Sequence, residues 1–287
     1  MRDWERDYPA PAKLNLFLHV VGRRPDGYHL LQSVFRFIDF GDTLRFSPRQ
    51  DGRIVRTRPL AGVPEASDLC VRAALLLQSE SGCRRGVGIA LEKRLPMGGG
   101  LGGGSSDAAT VLLALNRLWD LGWPRERLQG LGLKLGADVP FFLFGRNAFV
   151  EGVGEALRAV ELPPAWYLVA APRASVPTAE IFAAPNLTRN TKPLKMSDFS
   201  AGWLGSGVIE GRNDLESVVC ERYPEVARAL DWLRRHADAR MTGSGACIFA
   251  TFAAEQDARA VLAQLPEGLT GWIARGLDEH PLLALAD

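Results

Sequence analysis

The chain has 287 residues, 47% hydrophobic and 23% charged, the balance of a globular protein with room for one large domain or two ordinary ones. Its 34 basic and 33 acidic residues leave a formal charge of +1, without the basic excess expected of a nucleic-acid binder. The longest uncharged run, 241–254, is too short and too broken by glycine to cross a bilayer.

The first seven residues alternate in charge, so no secretory leader is expected. Cys70, Cys83, Cys220 and Cys247 form no paired motif and read as reduced thiols of a cytoplasmic protein. The four histidines are scattered, so no zinc site is expected.

In chain order, Leu14, Leu16, Leu18 and Val20 alternate as in a half-buried strand over 13–20, with Lys13 on the opposite, polar face. Pro25-Asp26-Gly27 is a turn, and β-rich stretches follow at 34–38 and 43–46. Ser67 or Asp68 caps a helix whose stripe is Leu69, Ala73, Leu76 and Leu77. A strand at 87–91 leads into a glycine run. A helix follows from Ser105 or Ser106 to about 119, and another starts at Pro124. Beyond Pro163-Pro164 the expectation is a strand at 166–171 and helices near 177–182, 214–221 and 224–236. A strand at 246–252 and a helix at 255–265 complete it. Strands and helices mix without strict alternation, which favours α+β.

Six of the seven positions from Gly98 to Gly104 are glycine, between an apolar strand and an apolar helix. Such a run costs conformational entropy, and it bares backbone amides at a helix N-terminus, where the dipole favours an anion. No Walker A lysine follows. A G-x-G-x-x-G frame fits Gly98, Gly100 and Gly103, but the acid at the dinucleotide spacing, Asp120, falls at a helix end. Asp39-Phe40-Gly41 imitates a protein-kinase motif but precedes the loop, and no H-R-D occurs.

Five segments together make the sequence resemble the GHMP kinase family. They are Pro11-Ala12-Lys13-Leu14-Asn15-Leu16, Arg24-Pro25-Asp26-Gly27-Tyr28-His29, residues 95–109, Gly136-Ala137-Asp138-Val139-Pro140-Phe141-Phe142 and Met241-Thr242-Gly243-Ser244-Gly245-Ala246-Cys247. The second and fourth resemble the branch acting on 4-diphosphocytidyl-2-C-methyl-D-erythritol. The resemblance implies two α+β lobes, 1–162 and 163–287, with the active site between them. It implies transfer of the ATP γ-phosphoryl to the 2-hydroxyl of that small-molecule acceptor, with Mg²⁺.

Carried over, Lys13 and Asp138 form the catalytic pair. Pro96, Met97, Gly98, Gly99, Gly100, Leu101, Gly102, Gly103, Gly104, Ser105 and Ser106 cradle the triphosphate, and Lys93 lies near the adenine. Tyr28, His29 and Phe182 surround the cytosine, with Asn15, Phe35 and Thr178 nearby. Asp68 stands where many members have Asn, so no adenine contact is assigned to it. Asn190-Thr191-Lys192-Pro193 carries a lysine beyond the family pattern. No protein-built metal site, no nucleic-acid or membrane partner, and a monomer or weak homodimer are expected. Two rivals remain: another GHMP small-molecule kinase, and a non-catalytic nucleotide- or RNA-binding module. The Pro25–His29 segment weighs against the first. Retention of both Lys13 and Asp138 weighs against the second.

Overall fold

The computed structural model describes residues 2–196 and 211–286. Its strands are β1 (Tyr8–Arg23), β2 (His29–Arg49), β3 (Ile54–Arg56), β4 (Gly86–Glu92), β5 (Ala148–Gly152), β6 (Ala156–Ala159), β7 (Trp166–Ala171), β8 (Ala239–Met241), β9 (Ile248–Phe252) and β10 (Thr270–Leu277). Its helices are α1 (Leu69–Ser81), α2 (Gly103–Leu118), α3 (Arg125–Leu133), α4 (Val139–Phe144), α5 (Thr178–Phe182), α6 (Glu216–Arg222), α7 (Pro224–Arg234) and α8 (Glu255–Leu262).

Among the described residues the strands form one sheet with the path β3-β4-β2-β10-β7-β9-β8, and β1 and β5 also pair with β2. Only β3 runs parallel to its neighbour. The two stretches expected at 34–38 and 43–46 are a single 21-residue strand, long enough to meet β1, β4, β5 and β10 at different points. The fold class expected from the mixed order of elements holds.

β1 is not half-buried. Residues from Ala10 to Val20 are buried on both faces, Lys13 included at 3% exposure. Its apolar alternation also breaks, because the register against β2 shifts between Asn15 and Leu18. A bulge of this kind re-aims the side chains beyond it. Leu14 and Leu16 therefore join a core with Tyr167 and Phe249, whereas Leu18 and Val20 join the core beneath α6 and α7. Lys13 and Asn15, two residues apart, share the face opposite Leu14 and Leu16.

The two halves exchange their edges. β10 pairs with β7 on one side and β2 on the other, and Leu282 packs with α2 and α4. In the opposite direction Asp214 takes the Val20 amide at 2.8 Å, while within the C-terminal half Asn213 donates to the carbonyls of Met241 and Gly243 at 2.9 and 2.8 Å. Asn213 is buried, and its own amide oxygen accepts from Leu215 N.

Asn213→Ala strands two buried carbonyls and is expected to cost roughly 2–4 kcal/mol of stability. Asn213→Asp turns a donor into an acceptor facing those same carbonyls, so it should cost more. Chemical denaturation of both variants checks the order, and an Asp variant as stable as the Ala variant would remove the donor role.

Candidate active site

The glycine run folds as a sharp loop into α2. Gly98, Gly100 and Gly102 adopt φ of 67°, 75° and 71°, which only glycine reaches without strain. α2 starts at Gly103, two residues before the expected serines, with Gly102 at its N-cap. The first helical bond runs from Ser106 N to Gly102 O at 2.8 Å. The amides of Gly103, Gly104 and Ser105 precede it and have no carbonyl within the helix to bond. Bare amides and the helix dipole together suit a phosphate. Ser106 is buried, and its hydroxyl donates to Pro11 O, so it braces the loop, whereas half-buried Ser105 stays on the cleft wall.

That loop forms one wall of a cleft of about 660 Å³. Lys13, Asn15, Phe35, Lys93, Asp138, Thr178, Phe182 and the residues from Pro96 to Ser105 all line it. The structure thus brings together every expected site residue except Ser106, Tyr28 and His29. Met97 stands 54% exposed.

At the centre, Lys13 Nζ lies 3.6 Å from the Asp138 carboxylate, donates to Asn15 Oδ1 and sits 4.5 Å above the Phe35 ring. The Lys13 amide is itself fixed to Leu101 O in the glycine loop at 3.0 Å. Burial lowers the pKa of Lys13, and the Asp138 charge partly restores it. Asp138 occupies the N-cap position of α4, yet its side chain makes no capping bond. Its carboxylate, 33% exposed, faces Lys13 and the cleft instead. Phe35 therefore sits under the ammonium and edge-on to Phe141.

Lys93 bridges the buried carboxylates of Asp42 and Asp107 at 2.6 and 2.7 Å. Asp42 also accepts from the amides of Arg94 and Leu95, so the triad ties the entry of the glycine loop to the first turns of α2. Burial and the nearby Asp42 charge raise the pKa of Asp107, although Lys93 opposes them. Asp68 N-caps α1 through Cys70 N, and its other oxygen meets buried Arg56 at 2.7 Å.

At the other end Thr178 and Ser244 hydroxyls lie 2.7 Å apart, joining α5 to the loop after β8. The His29 and Phe182 rings are 5.0 Å apart, while Tyr28 stands 65% exposed at the hairpin tip. Two residues of the site were not anticipated. Ser33 takes a bond from Asn15 Nδ2 at 3.0 Å, and Thr242 Oγ1 accepts the Asn15 amide at 2.9 Å. Only the motif around Gly243 pointed near Thr242.

Several glycines answer to packing rather than to ligand access. A Cβ at Gly100 would sit 2.1 Å from Thr242 O, and one at Gly102 would sit 2.8 Å from the Phe142 ring and 3.2 Å from the Lys13 side chain. At Gly104 it would meet only Leu69, at 3.3 Å. Gly100→Ala is expected to cost about 2–4 kcal/mol, from backbone strain and overpacking. Gly104→Ala should stay within about 1 kcal/mol of the parent, its helix propensity offsetting the crowding. Equal melting temperatures for the two variants would contradict this assignment.

Models of the GHMP kinases N terminal domain and of the GHMP kinases C terminal region match residues 68–146 and 201–270. The chain is 65% identical over 275 residues to the 4-diphosphocytidyl-2-C-methyl-D-erythritol kinase of Thiobacillus denitrificans, covering 96% of each. It is 60% identical over 276 residues to the enzyme of that name from Aromatoleum aromaticum, covering 96% of this chain and 95% of the relative. A crystal structure of a 4-(cytidine 5'-diphospho)-2C-methyl-D-erythritol kinase superposes with a TM-score of 0.82 at 36% identity, over 94% of this chain and 99% of that one. The Methanococcus jannaschii mevalonate kinase, at 15% identity and a TM-score of 0.67, covers 95% of this chain and 98% of its own and shares the fold alone. The chain therefore belongs to the GHMP kinases, and within them to the 4-diphosphocytidyl-2-C-methyl-D-erythritol kinase family.

Proposed function

We propose that this protein transfers the γ-phosphoryl group of ATP to the 2-hydroxyl of 4-diphosphocytidyl-2-C-methyl-D-erythritol, giving the 2-phosphate and ADP in the non-mevalonate route to isoprenoids. The observation that carries the reading is the Lys13–Asp138 pair, 3.6 Å apart, on a cleft that also holds the bare amides at the start of α2. A phosphate on those amides would lie beside a cation and a carboxylate, the groups an in-line transfer from ATP to an alcohol requires.

In the transfer, the acceptor oxygen forms a bond to the γ-phosphorus while the bond to the bridging oxygen of ADP breaks. Asp138 holds the hydroxyl and takes its proton. Lys13 and the α2 amides stabilise charge on the phosphoryl oxygens. An aspartate is a weak base at neutral pH. A loose transition state tolerates this, because the alcohol loses its proton late. Among the described residues no three acidic, histidine or cysteine side chains converge on a metal position. Ser105 and Asp138, both on the cleft wall, fit a Mg²⁺ held chiefly by phosphate and water. Such an ion supplies charge neutralisation on the triphosphate.

His29 and Phe182 are read as the site of the cytosine, with Tyr28 able to join them only by moving from its exposed position. We place the enzyme in the cytoplasm as a monomer or weak homodimer with lobes 1–162 and 163–287, acting on neither nucleic acid nor membranes. No described helix is long and apolar enough to cross a membrane. Supplying ATP, Mg²⁺ and the diphosphocytidyl alcohol should release ADP and yield a new phosphomonoester by ³¹P NMR. Equal turnover of homoserine, mevalonate or a sugar would overturn this choice of acceptor.

Asp138→Asn should lower kcat by roughly 10²–10⁴-fold with little change in KM. Removing its charge also removes the group that raises the Lys13 pKa, so the residual alkaline limb of the pH–rate profile should move to lower pH. Lys13→Ala should slow the enzyme too, and the double variant should lose less than the product of the two. Fully multiplicative losses would show that the pair does not act as a unit.

A further inference from the structure

We propose that Arg189 is a positioning residue for the acceptor: it holds His29 as a neutral imidazole with its single proton on Nδ1 and keeps Phe182 beside that ring. The inference rests on the reading of His29 and Phe182 as the acceptor's base site. Arg189 itself belongs to no motif of the sequence.

The guanidinium is half-buried and nearly saturated. Nε donates to His29 Nε2 at 3.0 Å, Nη1 to Leu187 O at 3.0 Å, and Nη2 to Phe182 O at 3.0 Å and Ala184 O at 2.7 Å. Three carbonyls at the end of α5 and beyond it are thus bound to the group that grips the His29 ring. A guanidinium has no acceptor and stays charged. His29 Nε2 must therefore be unprotonated to receive this bond, and a neutral imidazole then carries its proton on Nδ1. Nδ1–H is left as the one ring donor, fit for an acceptor atom on the base edge and unable to serve a donor there.

The electrostatics agree. Burial lowers the His29 pKa, and the Arg189 and Arg23 charges lower it further. Arg23 faces His29 across the β1–β2 ladder. The carboxylate on the connecting turn, Asp26, is engaged by Arg24 at 2.6 Å and by the Tyr28 amide. The segment behind Arg189 is anchored as well, with Thr191 N on Val20 O at 3.1 Å and Leu194 paired twice with the Gln32 amide. Lys192, beyond the family pattern, therefore leaves this end of the cleft pinned.

¹⁵N NMR of the imidazole in the full-length protein reads the tautomer directly. In the wild type, Nε2 should be the unprotonated nitrogen at neutral pH, with titration below the ordinary 6.5. A protonated Nε2 there would overturn the inference without any variant. In Arg189→Gln the titration should rise, and acceptor KM should increase about tenfold, equivalent to roughly 1.4 kcal/mol, with kcat and ATP KM nearly unchanged. That KM should climb further as pH falls through 6.5, where the wild type stays level. Arg189→Lys restores the cation without the fork, so it should recover the low titration and only part of the affinity; it also serves if the Gln variant folds poorly. Identical His29 titration in wild type and Arg189→Gln overturns the inference and leaves the function standing. A wild type that makes no phosphoester from the diphosphocytidyl alcohol overturns the function, and the substrate half of this inference falls with it.

Discussion

Two glycine-bearing loops, one between β4 and α2 and the other between β8 and β9, lie so close that a Cβ at Gly100 or Gly243 would strike the other loop's backbone. Ala246 N and Cys247 N donate to Gly98 O and Gly99 O at 3.2 and 3.1 Å, and Thr242 Oγ1 reaches Gly100 O at 3.4 Å. The contact joins the two halves of the chain at the cleft. It holds the glycine loop by its carbonyls and leaves the amides that begin α2 on the cleft wall. Unsatisfied amides are costly when buried and useful when they line a cleft.

The same contact accounts for the placement of Lys13. Its amide is bonded to Leu101 O, so β1 runs directly beneath the loop. A lysine this buried is destabilised in its charged form. It remains there because Asp138, Asn15 and the Phe35 face share the charge. Truncating any one of these partners leaves the ammonium less compensated, so the three contacts function as a single electrostatic unit. Asn15 extends that unit to Ser33 and Thr242, which couples β1 to the second loop.

Elements with strong local signals were legible in the sequence. The strand over 166–171 and the helix capped by Asp68 appear where the pattern placed them. The α2 start did not, because Gly103 and Gly104 are helical against their propensity, stabilised by tertiary packing that no local rule registers. β10 was missed for a related reason. Its Gly271, Arg275 and Gly276 interrupt any alternation, and the strand exists through pairing with β7 and β2. The Lys13–Asp138 ion pair was legible through the family pattern and the sharp glycine loop through composition. Asn213, Thr242 and Arg189 were not, since a polar residue is informative only once its partner is known. The partner of Arg189 is 160 positions away, and that of the Thr242 hydroxyl 227.

The two ends of the cleft are built from different materials, and this bears on how one fold serves several acceptors. The end proposed to take phosphate is backbone, and a Cβ at Gly100 or Gly102 would press on protein atoms there. The end proposed to take the acceptor is side chain: Thr178 and Phe182 on a five-residue helix, with His29 at a strand end. Changes on a short helix and at a strand end disturb less of the fold than changes at the loop-to-loop contact, where an added Cβ meets backbone. A relative at 15% identity can therefore keep the whole architecture, as the mevalonate kinase does. In the function proposed above, specificity would rest on the few polar groups that orient the His29 and Phe182 rings. Those groups lie outside the glycine loop, and a fold match alone carries no information about the acceptor.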